Sequence, residues 1–369
     1  MKKILVIAPY PYLPYYSGGQ KFIAQFLEYL GKKTALTVVS GKKNDASLAG
    51  TYTLLPILER SFSRYLDFRL VRQISDLVIK ENIDEVIWEH PYYAWLAFRV
   101  RKNTGVSTII HSHNIEHQRF RSTGRWWWPV LRKYEKWALR KADKVLFITD
   151  EDRSFAVNEW KLSPETCSIL PFGITLNKNP TDRKNCREIL LHRHDIPAEE
   201  KILLFNGLLD YKPNLDALMV ILKEINPFLL NTPGFKYRII ICGKRLPDSL
   251  NQLKAYRDQH ISFAGFVPDI ETYFKGADVF LNPVISGGGV KTKMVEAIAY
   301  GTTVVSTVSG AAGMEAGTCG NKLQVTGDSD WKAFSERIVV AAAKDERTPD
   351  AYYQYYYWEN IIERMLSEH

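Results

Sequence analysis

Short apolar runs alternate with longer stretches of helical periodicity along the whole of this 369-residue chain. In the first half, strand-like runs lie at Ile4–Ala8, Leu36–Ser40, Glu85–Glu89, Ser107–His111, Val145–Thr149 and Ser168–Leu170. Helical patterns separate them over Gln20–Leu30, Ser63–Glu81, Tyr93–Lys102, Val130–Lys141 and Asp150–Trp160. Val- and Ile-rich runs this short, alternating with amphipathic segments, predict a parallel sheet covered on both faces. The pattern then restarts. Ile202–Asn206, Arg238–Cys242, Ser262–Gly265, Val279–Pro283 and Thr303–Thr307 read as strands, with helices from about Asn214, Pro247, Ile270, Lys291 and Asp330. The polar, Asn-rich stretch Gly173–Asn185 reads as the join. The expected fold class is α/β, with two Rossmann-like domains at residues 1–178 and 179–351, and an aromatic-rich helix at Tyr352–Leu366 within a closing segment 352–369.

Composition adds compartment and surface. An apolar share of 46% is globular, and the length suits two domains. Cys167, Cys186, Cys242 and Cys319 have no CxxC spacing, which points to reduced thiols, a cytoplasmic protein and no structural zinc. No apolar run approaches the roughly 18 residues of a membrane span. The start, MKKILVIAPYPYLP, has an apolar run too short for a signal peptide and reads as a first strand. Residues 1–180 hold 27 Lys and Arg against 17 acids, whereas 181–369 hold 22 against 24. The excess peaks between His111 and Val145, where nine basic residues surround Trp126, Trp127 and Trp128. Basic residues interleaved with tryptophan suit an anionic membrane surface; a solvated helix face over a buried Trp cluster is the equal alternative. No recognition-helix or RNP-like motif accompanies the charge, so nucleic acid is not expected.

Candidate chemistry sits in the loops that follow strands. The most informative segment is Ser286–Thr307, SGGGVKTKMVEAIAYGTTVVST. Its glycines (Gly287, Gly288, Gly289) run through Val290 into a helix, where free N–H groups favour an anion. Lys291 and Lys293 add charge, and Glu296, one to two turns in, can accept hydrogen bonds from sugar hydroxyls. Together they describe a nucleotide diphosphate site. Three histidines and a glutamate fall in His111-Ser112-His113-Asn114-Ile115-Glu116-His117, but their spacing does not place ligands on one helix face, so no metal is expected. The acid-x-acid triplets Asp150–Asp152 and Asp328–Asp330 stand where helix caps belong.

The segment from Lys293 to Thr307 resembles the donor-binding signature of retaining GT-B glycosyltransferases, family four, the group 1 transferases. The resemblance implies two domains facing across a cleft, the last helix crossing back to the first, and a nucleotide-sugar donor. On it, Gly18 and Gly19 after the first strand approach the donor phosphates, together with Gly288, Gly289, Val290 and Lys291. Lys212 and Lys293 clamp the diphosphate, Glu296 binds the ribose, and His113 sits beside the transferred sugar. Asn114 and Glu116 line the acceptor side. Two departures stand out: Leu208 occupies the family's clamp-arginine position, and Gly288 that of its first glutamate. The implied activity is sugar transfer with retention, without metal or cofactor, onto a glycan or lipid-linked glycan in cell-surface polysaccharide synthesis; the basic, Trp-bearing stretch adds an expected peripheral place on the inner face of the membrane. An inactive sugar-nucleotide-binding scaffold and a GT-B epimerase are the alternatives.

Overall fold

The apolar runs of the first half pair as one sheet of seven parallel strands. These are β1 (Lys3–Ile7), β2 (Ala35–Gly41), β3 (Thr53–Leu58), β4 (Glu85–Glu89), β5 (Ser107–Ser112), β6 (Lys144–Phe147) and β7 (Cys167–Ile169), ordered β3-β2-β1-β4-β5-β6-β7. A second parallel sheet contains β8 (Lys201–Leu208), β9 (Tyr237–Lys244), β10 (Ile261–Gly265), β11 (Val279–Asn282), β12 (Thr303–Thr307) and β13 (Leu323–Thr326), ordered β10-β9-β8-β11-β12-β13. The computed structural model describes residues 1–59 and 65–367. It divides into two compact units, Met1–Gly173 with Tyr356–His369, and Ile174–Tyr355.

Each sheet buries its central strands on both faces: every residue of β4 and of β12 is buried. In the first unit one layer packs Leu5, Val86 and Trp88 against Ile74 and Leu96, and another packs Ile110, Val145 and Phe147 against Leu139 and Trp160. The second unit gathers Leu203, Ile239, Ile241, Leu281 and Val305 with Leu218, Ile221 and Phe334. Strand order reverses between β1 and β4 in one sheet and between β8 and β11 in the other. Such reversals open a crevice beyond the strands' carboxyl ends.

Several elements differ from the expected pattern, each for a local reason. β3 carries Pro56, which only an edge strand tolerates. β13 is a short, half-exposed edge strand. The expected helix from Ser63 begins outside the described residues; its described part is Arg69–Glu81. The segment after Pro247 forms 3-10 turns over Asp248–Gln259, because Asn251, Gln252 and Leu253 take positive φ and break the helix. The join ends early, since Arg183 already opens a helix to Arg193.

The closing segment splits into two helices, Asp350–Tyr356 and Trp358–Ser367. Tyr352 and Tyr353 bind carbonyls of the second unit (Val295 and Ala299, both at 2.7 Å), so the return to the first unit begins at Tyr356. There Trp358 is buried among Phe22, Phe26 and Tyr29, and its Nε1 donates to Gln25 Oε1 at 3.1 Å. Gly173 is required beneath it: a Cβ there would stand 2.3 Å from the indole.

Candidate functional site

In the second unit, the loop after β11 and the loop after β8 converge. Gly287 and Gly289 take φ of 87° and 73°, the left-handed region that favours glycine. A Cβ on Gly287 would stand 3.3 Å from Pro213 and 3.5 Å from the Tyr211 hydroxyl. Gly288 is exposed between them, and Val290 is half-buried at the loop's end. Lys291 precedes the helix Thr292–Ala299, and its Nζ donates to the carbonyls of Gly287 and Gly289, both at 2.9 Å. Lys293 reaches back to β8, donating to Asn206 O at 2.7 Å. Burial pushes both ammonium groups down to about 8, Glu296 offsetting part of that for Lys293. Glu296 is half-buried on the same helix. Lys212 is different: its side chain is exposed and pairs with Asp216 at 2.7 Å, a surface i,i+4 bond.

This helix is only two turns long, and its final carbonyls find partners elsewhere. Thr348 Oγ1 donates to Ile298 O, Tyr352 OH to Val295 O and Tyr353 OH to Ala299 O, each at 2.7 Å. Helix ends left without such partners are costly.

In the first unit, polar side chains gather where β1, β4 and β5 end. Parallel register sets Glu89 beside His111. The Glu89 carboxylate accepts from His111 Nδ1 at 3.1 Å and from His113 Nε2 at 2.5 Å. Burial would raise its pKa, but the two imidazoles hold it well below the usual carboxylate range. Ligand atoms of Glu89, His111 and His113 lie within 4.8 Å of one another. His90 follows, buried, with φ of 65°, a conformation that strains a side-chain-bearing residue. Its Nε2 meets Tyr10 OH at 2.8 Å, and its Nδ1 faces Glu116 Oε1 at 3.3 Å without a directed hydrogen bond. Burial, then His113, lowers His90 to about 4.

Glu116 itself is fully buried, and its Oε2 takes Arg119 Nε at 2.9 Å and Nη2 at 2.5 Å. Against its burial, His90 and Arg119 bring it to about 2. Its Oε2 is thus tied to Arg119, while its Oε1 makes no hydrogen bond. Asn114 is half-buried, its carbonyl taking Ser112 Oγ at 3.0 Å. Gly18 and Gly19 open helix Gly18–Gly31 under the Ser17 cap, and a Cβ on Gly19 would meet nothing within 4 Å.

The helix Glu116–Ser122 has no local side-chain cap. Glu135, from helix Trp128–Lys141, supplies one: its carboxylate accepts from Glu116 N at 2.7 Å, His117 N at 3.1 Å and His117 Nδ1 at 3.0 Å. Burial, then Glu135 and Glu151, raises Asp152 to about 7. Thr149 caps this acidic triplet's helix, and Asp330 caps the one at Trp331. The end of helix Glu116–Ser122, the turn after it and the outer side of Trp128–Lys141 expose Arg121, Arg125, Arg132, Lys133, Arg140 and Lys141. The tryptophan triplet divides: Trp126 is 86% exposed, whereas Trp127 packs on Phe120 and Trp128 on His117.

Sequence reading missed Glu89, His90, Tyr10 and Asn214. Asn214 joins Lys293 over Gly207, where a Cβ would stand 2.9 Å from its amide nitrogen. Glu89 and His90 had a legible signal: an acid, a histidine and a proline directly after the apolar run of β4, on the sheet's reversal.

Residues 200–343 match the family described as glycosyl transferases group 1, and residues 16–178 match glycosyltransferase family 4. No curated protein matches the chain significantly. Among solved structures, a glycosyltransferase from Rickettsia africae is 16% identical over 99% of this chain and 97% of its own, with a TM-score of 0.73. HepE from Anabaena, solved with UDP, is 14% identical over 99% and 98%, with a TM-score of 0.72. Sucrose-phosphate synthase from Thermosynechococcus elongatus is 15% identical over 100% and 98%, with a TM-score of 0.71.

Proposed function

The chain belongs to the group 1 glycosyltransferases and has their GT-B fold, and we propose that it moves a sugar from a nucleotide-diphosphate sugar to a glycan or lipid-linked glycan with retention of anomeric configuration. The observation that carries this reading is the second unit's glycine loop, with Lys291 and Lys293 at the mouth of the helix that bears Glu296. Lys212, Lys291 and Lys293 stabilise charge building on the leaving diphosphate, and Glu296 binds the ribose. Gly18, Gly19, Gly288, Gly289 and Val290 give backbone access to the phosphates. His113 meets the transferred sugar, and Asn114 the acceptor.

In the step we propose, the acceptor hydroxyl attacks the anomeric carbon on the face from which the diphosphate departs. The bond from that carbon to the phosphate oxygen breaks, and the hydroxyl proton passes to the diphosphate. No metal takes part, because lysines supply the countercharge. Support for the donor class comes from HepE, solved with UDP and with UDP-glucose. The lipopolysaccharide outer core galactosyltransferase WaaB, at a TM-score of 0.68, supports a cell-surface glycan as acceptor. The basic, Trp126-bearing face of the first unit suits an acceptor held at an anionic inner membrane surface.

Incubation with a panel of UDP-, GDP- and dTDP-sugars, followed by NMR of the product's anomeric proton, tests the reading. Transfer with inversion would refute retention. Binding without transfer or hydrolysis would favour an inactive sugar-nucleotide binder, the reading to which Leu208 at the clamp position and the Lys212–Asp216 pair lend weight.

A further inference from the structure

From the clamp at the ends of β4 and β5, we infer that Glu89 is the positioning residue of His113, fixing which imidazole nitrogen is offered to substrate. An ionised carboxylate only accepts hydrogen bonds. Both ring nitrogens that touch Glu89 must therefore carry protons: Nδ1 of His111 at 3.1 Å and Nε2 of His113 at 2.5 Å. Burial lowers the pKa of His111, against the opposing pull of Glu89. With Nε2–H of His113 committed to Glu89, Nδ1 is the nitrogen left for a ligand, and in the neutral ring it is an acceptor.

The ring cannot turn to reverse that assignment without leaving its box. His90 lies 4.1 Å away, centroid to centroid, His111 4.5 Å and Phe22 5.1 Å, edge-on. His90 itself has a positive φ of 65°, precedes Pro91, and its ring meets the Tyr10 hydroxyl. A boxed imidazole with one nitrogen tied to a buried carboxylate orients its free lone pair toward a sugar hydroxyl, as an outer carboxylate does for a metal-bound histidine. The Glu89 carboxylate oxygens each take one ring, so the cluster is read as an orienting clamp and not as a metal centre.

This inference rests on the reading of His113 as a sugar-contacting residue, and its test separates the two. Imidazole ¹⁵N shifts of the wild-type protein should show His113 as the Nε2–H tautomer, and Glu89→Gln should release it. The same variant should lower kcat about 10- to 100-fold with little change in donor KM, the usual reach of an outer-shell partner. It should add no further loss in a His113→Ala background. Glu89→Asp, which keeps the charge but retracts it, should slow transfer similarly and covers the case in which Glu89→Gln does not fold. A wild-type Nδ1–H tautomer would overturn the inference without any variant. So would both Glu89 variants working at the wild-type rate while His113→Ala is slow, or a stoichiometric metal lost with Glu89. If His113→Ala alone retained full activity, the underlying functional reading would fall, and the tautomer measurement would still decide whether Glu89 holds the ring.

Discussion

Lys293 lies directly over Gly207: a Cβ on that glycine would stand 2.8 Å from the lysine Nζ. The atoms in the way are side-chain ends, Lys293 Nζ and the Asn214 amide at 2.9 Å, and no backbone, so Gly207→Ala should still fold. It should nevertheless displace the ammonium from Asn206 O and raise the donor KM. Thermal unfolding beside steady-state kinetics separates the two effects. An unchanged KM would show that Lys293 does not depend on the bare backbone at Gly207.

Donor binding should weaken as pH rises through about 8, where half-buried Lys291 and Lys293 lose their protons. A diphosphate favours the charged forms, so binding near that pH should take up protons. The folded-state values lie below the 10.5 of an unfolded lysine, so these groups subtract from the ligand-free protein's stability below about 8. That cost fades as pH climbs toward the unfolded value, opposite in direction to donor affinity. Calorimetry of nucleotide binding in buffers of different ionisation enthalpy measures the uptake; pH-independent affinity would count against a lysine clamp.

Glu296→Ala should lower transfer at least about 100-fold, mainly through donor affinity, because two hydroxyl bonds to a charged acceptor are worth about 3 kcal/mol or more. Retention of more than about a third of the wild-type rate would take Glu296 out of the ribose site.

Chelation with EDTA should leave the initial rate unchanged. Loss of activity restored by Mn²⁺ or Mg²⁺ would return attention to Asp150–Asp152, or to the cluster of Glu89, His111 and His113.

Anionic liposomes should bind the protein at low salt and release it at high salt, since the Debye length is only about 10 Å at 0.1 M. Each basic residue near such a surface contributes roughly 1 kcal/mol. Trp126→Ala should weaken binding at every salt concentration, as its ring is the exposed member of the triplet. Co-sedimentation indifferent to lipid charge would leave the basic run a solvated face.

Parallel sheets were legible because strands buried on both faces carry short apolar centres, Val86-Ile87-Trp88 in β4 and Val304-Val305 between β-branched threonines in β12. Edge strands β3 and β13 were not, since one needs no interior-strand purity and the other is mostly half-exposed. The donor loop announced itself through contiguous glycines and lysines. Glu89 lay 24 residues from His113, and only the pairing of β4 with β5 brings them together. Glu116 illustrates the converse: a carboxylate well placed in the sequence is fully buried in the fold, with one oxygen tied to Arg119.

The three hydroxyls that finish the helix Thr292–Ala299 come from Thr348, Tyr352 and Tyr353. All lie downstream of residue 343, where the match to the group 1 family ends. A donor module excised along that homology border would keep each lysine, each glycine and Glu296. It would also strip the short helix beneath them of its C-terminal partners, so the smallest portable donor module extends beyond the border, through Tyr353.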